Sequence, residues 1–418
     1  MKKLICLLLV LCALFPFYSC GSWDLDDLPE VTGDDLTEET PDVIDSNAPY
    51  ALSSKNPIQK PETFASAPGM IIFKFQRKPM YYNTVTGKCY LFCFNPGCKH
   101  RYNECLNNKL QVTNHWTYSN GKFYVAYIDS VLGANNMSGI ATVSMDASHM
   151  EVLYRCDTMH VHKIDAAGDY IYLWGRSGSE YVLTVYNLKT GEAEIKKGND
   201  NGRKFGSRFL VTEDKLIYYY NDDPYVYCSD LDFTNEKELC DKLGAFIYSD
   251  NKLYYLKESD TRNTTGGHEW NLEVYEYDMA TGNDRYVTTV TNGMSNFFCV
   301  ADGYLYYSPI GKYAVGSSQR AEDNVTVSGG EICRIDLSTG EVKNVFFNKY
   351  LDFKDVFSIN GKLYAVVQYH SSNSWLGSKG YGKRLYGELI DTDGDDDLEF
   401  KFFEWDETEI AGYFDIAY

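Results

Sequence analysis

One turn, written again and again, limits what this chain can fold into. A strand ending in Asx-x-x-Thr-Gly occurs as Tyr186-Asn187-Leu188-Lys189-Thr190-Gly191, Tyr277-Asp278-Met279-Ala280-Thr281-Gly282 and Ile335-Asp336-Leu337-Ser338-Thr339-Gly340. Tyr82-Asn83-Thr84-Val85-Thr86-Gly87 is an earlier copy, Met145–His149 and Leu231–Asn235 are degenerate ones, and Asp391-Thr392-Asp393-Gly394 closes the series. The Asx side chain can cap the turn, and glycine supplies its left-handed position. A second, tighter turn precedes most copies and opens a new strand: Asn120-Gly121-Lys122-Phe123-Tyr124, Asp214-Lys215-Leu216-Ile217, Asp250-Asn251-Lys252-Leu253-Tyr254, Asp302-Gly303-Tyr304-Leu305-Tyr306 and Asn360-Gly361-Lys362-Leu363-Tyr364. Pro68-Gly69 and Ala167-Gly168 are weaker forms of it. Asn-Gly or Asp-Gly between apolar runs is the strongest short-range hairpin signal, because both central residues tolerate positive φ.

The Thr-Gly-type turns fall near residues 87, 148, 191, 235, 282, 340 and 394. Four short strands with their turns need roughly 40–50 residues, the length of a propeller blade. The prediction is therefore an all-β fold over residues 63–418, a seven-bladed β-propeller of four-stranded antiparallel blades. A sandwich would not repeat its motif, and a β-helix would repeat it faster. No segment keeps a helical period. The 418 residues exceed what one core usually fills, but each blade adds a core layer to its neighbours. The 36 Tyr and 22 Phe suit pleated surfaces.

The first 62 residues read differently. Lys2 and Lys3 precede an apolar run, Leu4 to Phe17, of signal-peptide length and short for a membrane span. Phe17-Tyr18-Ser19-Cys20-Gly21 resembles a bacterial lipobox, with Phe17 where an aliphatic residue is usual. The resemblance implies cleavage before Cys20, lipid on its sulfur, and a place in the cell envelope facing outside the cytoplasm. The alternative is an ordinary signal peptide that contains a cysteine. Residues 21–62 hold five of the eleven prolines and 11 acidic against 2 basic side chains, the composition of a disordered acidic tether. The formal net charge of −20 argues against a nucleic-acid partner.

The Gly-Lys-Leu-Tyr and Asp-Leu-x-Thr-Gly-Glu copies over residues 63–418 resemble the TolB-like and related propellers of bacterial extracytoplasmic lipoproteins, including domain families of unknown function. That resemblance implies a fold and leaves function open. No Gly-x-Ser-x-Gly elbow is present, so the hydrolase half of a prolyl-oligopeptidase is not expected.

In a blade whose strands run a to d from axis to rim, the a–b and c–d turns share one face. The b–c loops and d-to-a crossings share the other. The long segments Asp129–Gly139, Ser259–Trp270, Pro309–Gly330 and His370–Lys383 read as b–c loops, and the Cys-rich Phe94–Asn114 as a crossing, so all five fall on the same face. Loops held by a rigid scaffold are where binding residues concentrate. The expected function is a lipid-anchored binding or scaffold protein recognising a glycan, peptide or envelope-protein partner through this face. His268, Trp270, Trp375 and Tyr381 are its candidate ligand-binding residues, although each Trp has a plainer role available in packing on its own blade. The alternative function is a propeller-type hydrolase acting on an extracellular carbohydrate or peptide. No catalytic residue is assigned.

Of twelve cysteines, Cys6, Cys12 and Cys20 belong to export. Cys93-x4-Cys98-x-His100-x4-Cys105 forms an insertion at 93–105 whose Cys₃His set suits a structural zinc. A disulfide within the same set is the competing reading, since an oxidising exterior permits it. Cys228 and Cys240 flank one c–d hairpin and could bridge it. Cys156, Cys299 and Cys333 lie on strand patterns and are expected to be buried and inert. Asp391–Glu399 resembles a calcium loop, but Asp396 stands where glycine is required and Phe402 where a bidentate Glu should be, so it reads as an acidic turn.

Overall fold

In the computed structural model, the described residues run from 64 to 405. The exceptions are 76–77, 95–97, 99–104, 106–114, 129–137, 157–159, 199–201, 222, 224, 242–244, 259–270, 291–293, 310–329, 349–350, 360, 370–383 and 395–396. Cys20 and the segments expected to be a signal peptide and a tether therefore lie outside them.

Seven antiparallel meanders follow one another along the chain. Blade one is β1 (Ala65–Ala67), β2 (Met70–Phe75), β3 (Lys78–Asn83) and β4 (Lys88–Leu91); blade two is β5 (His115–Ser119), β6 (Lys122–Ile128), β7 (Ser138–Val143) and β8 (Met150–Cys156). Blade three is β9 (His160–Ala167), β10 (Tyr170–Ser177), β11 (Glu180–Asn187) and β12 (Ala193–Lys196); blade four is β13 (Phe205–Val211), β14 (Lys215–Tyr220), β15 (Tyr225–Asp230) and β16 (Lys237–Asp241). Blade five is β17 (Phe246–Ser249), β18 (Lys252–Glu258), β19 (Leu272–Asp278) and β20 (Asp284–Val290); blade six is β21 (Met294–Ala301), β22 (Tyr304–Pro309), β23 (Gly330–Asp336) and β24 (Val342–Asn348). Blade seven is β25 (Leu351–Ile359), β26 (Lys362–Tyr369), β27 (Arg384–Ile390) and β28 (Glu399–Phe402). No helix occurs among the described residues. The protein is the seven-bladed propeller that the repeat predicts.

Turn chemistry explains the hairpins. Asn120-Gly121, Asp250-Asn251 and Asp302-Gly303 have φ of 52° and 75°, 50° and 61°, and 49° and 82°, the mirror-image turn that matches strand twist. The c–d turns share one capping scheme. Asn187 Oδ1 accepts from the N–H groups of Lys189 (2.8 Å) and Thr190 (3.2 Å), while Gly191 N–H donates to the Asn187 carbonyl (2.9 Å). Asn83, Asp278 and Asp336 repeat the pattern. The acidic turn keeps its part: Asp391 Oδ1 accepts from Gly394 N–H at 2.6 Å.

Packing explains the tyrosines. Successive side chains of a strand point to opposite faces, and in a ring of blades both faces meet a neighbour. Leu253 and Tyr255 pack with blade four, while Tyr254 and Leu256 pack with blade six. Ile171 and Leu173 likewise face blade two, and Tyr172 and Trp174 face blade four. A central strand thus reads as an unbroken apolar run. On four blades the c–d pairing carries a bulge, at Ile140/Ala141, Val226/Tyr227, Val274/Tyr275 and Ile332/Cys333, which adds twist toward the rim.

One cluster joins blades one and seven and closes the ring. Phe64, Phe73, Met80 and Tyr82 meet Phe357, Tyr364, Tyr386 and Phe403 there. Tyr386 also donates its hydroxyl to the Lys74 carbonyl at 2.8 Å, across 312 residues of sequence. After β28 the chain steps to β29 (Glu404–Trp405), which adds in parallel to β4 on the outer edge of blade one. The terminal run Tyr413-Phe414-Asp415-Ile416-Ala417-Tyr418 is a further sequence candidate for a strand at the start of blade one. Those residues lie outside the described ones, and the closing strand seen here joins the rim of that blade instead.

Candidate metal centre and the two faces of the ring

The a–b and c–d turns meet on one face, as the strand order requires. Backbone hydrogen bonds tie them in pairs: Thr84 N–H to the Gly69 carbonyl, Leu188 to Asp169, Met279 to Asn251 and Leu337 to Gly303, all at 2.8–3.1 Å. Between blades the Asn120 side chain donates to the Gly168 carbonyl at 3.1 Å. This face is built of short, self-satisfied turns. Two hollows on this face among the described residues, about 570 and 610 Å³, lie over the junctions of blades four with five and three with four. The first is lined by Lys215, Cys228, Asp230, Asn235 and Tyr248, but Asp230 already accepts from Lys215 (2.5 Å) and Asn235 (2.6 Å).

The repeat also builds an ion-pair ladder that the sequence reading missed. The Lys that opens strand b reaches an acid on strand c: Lys215 to Asp230 (2.5 Å), Lys252 to Glu276 (2.9 Å) and Lys362 to Glu388 (3.4 Å). Its signal was the Lys-Leu that opens strand b at Lys215, Lys252 and Lys362, with the acid opposite Tyr254 and Tyr364 in two of the blades. Glu276 is the most enclosed member, its side chain 8% exposed, and it also binds Arg285 at 2.8 Å. Arg285 in turn donates to the Leu337 carbonyl of blade six at 2.7 Å. Burial opposes the charge of Glu276, but the hydrogen bonds from Arg285 and Lys252 outweigh it and hold the carboxyl below its usual range. A carboxyl depressed in the folded state contributes stability above its unfolded value of about 4.3, and loses it as pH falls through the folded value. Glu276→Gln is therefore expected to lower the melting temperature at pH 7, with the gap to wild type narrowing below about pH 4.3. A gap unchanged between pH 7 and pH 3.5 would show that the charge is not what matters.

The opposite face carries the cysteine insertion. Strand β4 alternates between its two neighbours, with Cys89 and Leu91 in the blade-seven interface and Tyr90 and Phe92 in the blade-two interface. Cys89 is therefore sealed away from the other three, and burial pushes its thiol well up. Beyond β4, Phe92 lies edge-on to Trp116 and Phe123, both at 5.6 Å, and Phe94 stacks on Tyr81 at 4.8 Å. This aromatic floor holds the start of the crossing. The sulfurs of Cys93, Cys98 and Cys105 all lie within 4.8 Å of one another; Cys105 is 2% exposed, and the other two are half-buried. Three soft donors so placed could hold a metal ion. A tetrahedral zinc with sulfurs at about 2.3 Å would draw them to about 3.8 Å apart, a small contraction. His100, the fourth member expected from the sequence, lies outside the described residues.

The other sequence candidates divide in the same way. His268, Trp270, Trp375 and Tyr381 lie outside the described residues. Cys228 stands opposite Lys237 and Cys240 opposite Val226, so the bridge the sequence allowed is not formed: the two are offset along the hairpin, and Cys228 is a buried thiol outside any disulfide. Burial raises its pKa. Cys299 is fully buried, as expected, whereas Cys333 is only half-buried, its thiol pushed up to about 11 by burial. Cys156 ends β8, and its side chain is not among those described.

These features define a closed seven-bladed propeller with one face of tight turns, one of long connections, and a three-cysteine centre between blades one and two. No family model matches the chain, and no curated protein matches it. Among solved structures it is similar to the β-propeller domain of the Trilobed protease from Pyrococcus furiosus, at 10% identity and a TM-score of 0.49, covering 83% of this chain and 98% of that one. An oligogalacturonate lyase in complex with manganese is similar at 11% identity and a TM-score of 0.48, over 77% and 86% of the two chains. AztD of Citrobacter koseri is similar at 12% and 0.36, over 68% and 70%. These likenesses are distant, and what the site does must be argued from this chain's own residues.

Proposed function

We propose that this chain is a lipid-anchored extracytoplasmic binding or scaffold protein that meets a glycan, a peptide or an envelope-protein partner with the loop face of its propeller. The observation that carries this reading is the asymmetry of the ring. The described a–b turns are tight, and the c–d turns of blades one to six are short and hydrogen-bonded to their own blade or the next; the c–d connection of blade seven, residues 391–398, is longer. The connections between β6 and β7, β18 and β19, β22 and β23, β26 and β27, and β4 and β5 are long, and all leave from the other face. Insertions scattered at random would not spare one side of a ring.

The test is binding of the purified chain to an array of defined oligosaccharides and to a displayed random-peptide library. Binding to one class is expected, and Trp375→Ala should weaken it at least tenfold while leaving melting within about 1 °C, as for a surface substitution. Binding that survives Trp270→Ala and Trp375→Ala together would remove the loop face from the reading, and a large loss of melting temperature would make Trp375 a packing residue. For the anchor, Cys20→Ser is expected to move the protein from the membrane fraction to the soluble one. A variant that stays membrane-bound would sink the lipobox reading.

The three-cysteine centre is read as a structural zinc site, with His100 as its fourth ligand. What supports this is the donor set itself: one disulfide would satisfy two of the three sulfurs, whereas a metal takes all three. A crossing of this length has no core of its own and needs a clip to stay ordered. Metal analysis of the reduced protein should find about one zinc per chain, and none would exclude it.

A further inference from the structure

We propose that the Cys93–Cys98–Cys105 centre is redox-gated: peroxide joins Cys93 to Cys98 as a disulfide, and the zinc is released. The proposal rests on the zinc reading above and adds regulation to it.

Three observations carry it. The sulfurs already lie within 4.8 Å of one another, so a side-chain rotation brings a pair to the bonding distance of about 2.05 Å. Their accessibility is unequal: Cys93 and Cys98 are half-buried and open to a small oxidant, whereas Cys105 is sealed at 2%. The number of sulfurs is odd, so oxidation of a pair leaves one thiol behind and cannot rebuild a three-donor site. Metal and disulfide are therefore alternative states of one centre.

The chemistry balances with hydrogen peroxide as oxidant. One thiolate attacks the peroxide, the O–O bond breaks, and a sulfenic acid forms as hydroxide leaves. The second thiolate attacks that sulfur, the S–S bond forms, and a second hydroxide leaves. Each sulfur loses one electron, peroxide gains two, and two protons complete two molecules of water. The zinc loses two of its anionic donors and dissociates, because disulfide sulfur binds it poorly.

The experiment uses the full chain, reduced and loaded with zinc, then titrated with hydrogen peroxide. Zinc release is read with a chromogenic chelator, thiols are counted, and the linked peptides are mapped. The expected result is one zinc released per Cys93–Cys98 disulfide, with Cys105 still alkylatable after unfolding, and zinc taken up again after reduction. Cys105→Ser should still form the disulfide but bind zinc at least tenfold more weakly, whereas Cys98→Ser should form no such link. A reduced protein that binds no zinc overturns the zinc reading and this proposal together. Zinc that is bound but retained while Cys93–Cys98 forms, or a peroxide-induced link to Cys105 instead, overturns the gate alone.

Discussion

Phe403→Ala is expected to destabilise the propeller by about 3–5 kcal/mol, seen as a fall of about 5 °C in melting temperature. Six of the seven blade interfaces join neighbours in sequence, but the seventh brings together segments about three hundred residues apart, so chain connectivity gives it little help. Its stability has to come from packing. Phe403 is 4% exposed and lies flat on Tyr82 with ring centroids 4.0 Å apart, against Phe73 (5.7 Å) and Tyr364 (6.1 Å). Its N–H donates to the Tyr386 carbonyl at 3.0 Å. Truncation leaves a cavity at the seam and loosens β29 from the rim of blade one. The adjacent Phe402, 47% exposed and set edge-on to the Phe400 ring, is the control. Phe402→Ala should shift melting by no more than about 1 °C. Equal effects from the two substitutions would show that the seam does not limit stability, and hydrogen exchange at β4 and β26 would report where the ring opens.

Removing the proposed zinc should have an effect of similar size. A ligand present at a thousandfold its dissociation constant stabilises the state that binds it by about 4 kcal/mol. Chelation of the reduced, zinc-loaded chain is thus expected to lower melting by about 5 °C. The change should be local: loss of exchange protection around β4 and β5, and altered emission from Trp116, whose indole abuts Phe92 next to Cys93. Melting unaffected by chelator in a protein shown to carry zinc would mean that the ion does not staple the crossing. Cys93→Ser should reproduce the chelated behaviour and be insensitive to added zinc.

The candidate site was partly legible. Cys93, Cys98 and Cys105 stood out by spacing and by the absence of any core to support their segment, and they do converge. That Cys89, four residues before Cys93, would be excluded from them was not legible, because it lies within β4 on the side facing blade seven, whereas Cys93 lies beyond the end of the strand. A Cys228 to Cys240 bridge, possible from the sequence, is ruled out by register: spacing along a hairpin gives proximity, whereas the register set by the turn puts Cys228 opposite Lys237 and Cys240 opposite Val226. The Lys-to-acid ladder was present in the motif but hidden by its ordinary composition.

What the sequence determines by itself is everything local. Positive-φ glycine and asparagine, Asx caps and the apolar runs between them specify each hairpin within a few residues, so the number of blades, their strand order and the division of turns from long loops can all be read along the chain. What only the tertiary structure decides is which side of each strand meets which neighbour and where the ring closes. Phe402 and Phe403 are identical in chemistry and adjacent in sequence, yet one faces solvent and the other forms the seam. Their difference is set by Tyr82 and Phe73, brought up from the other end of the propeller, and no local pattern encodes a partner that far away.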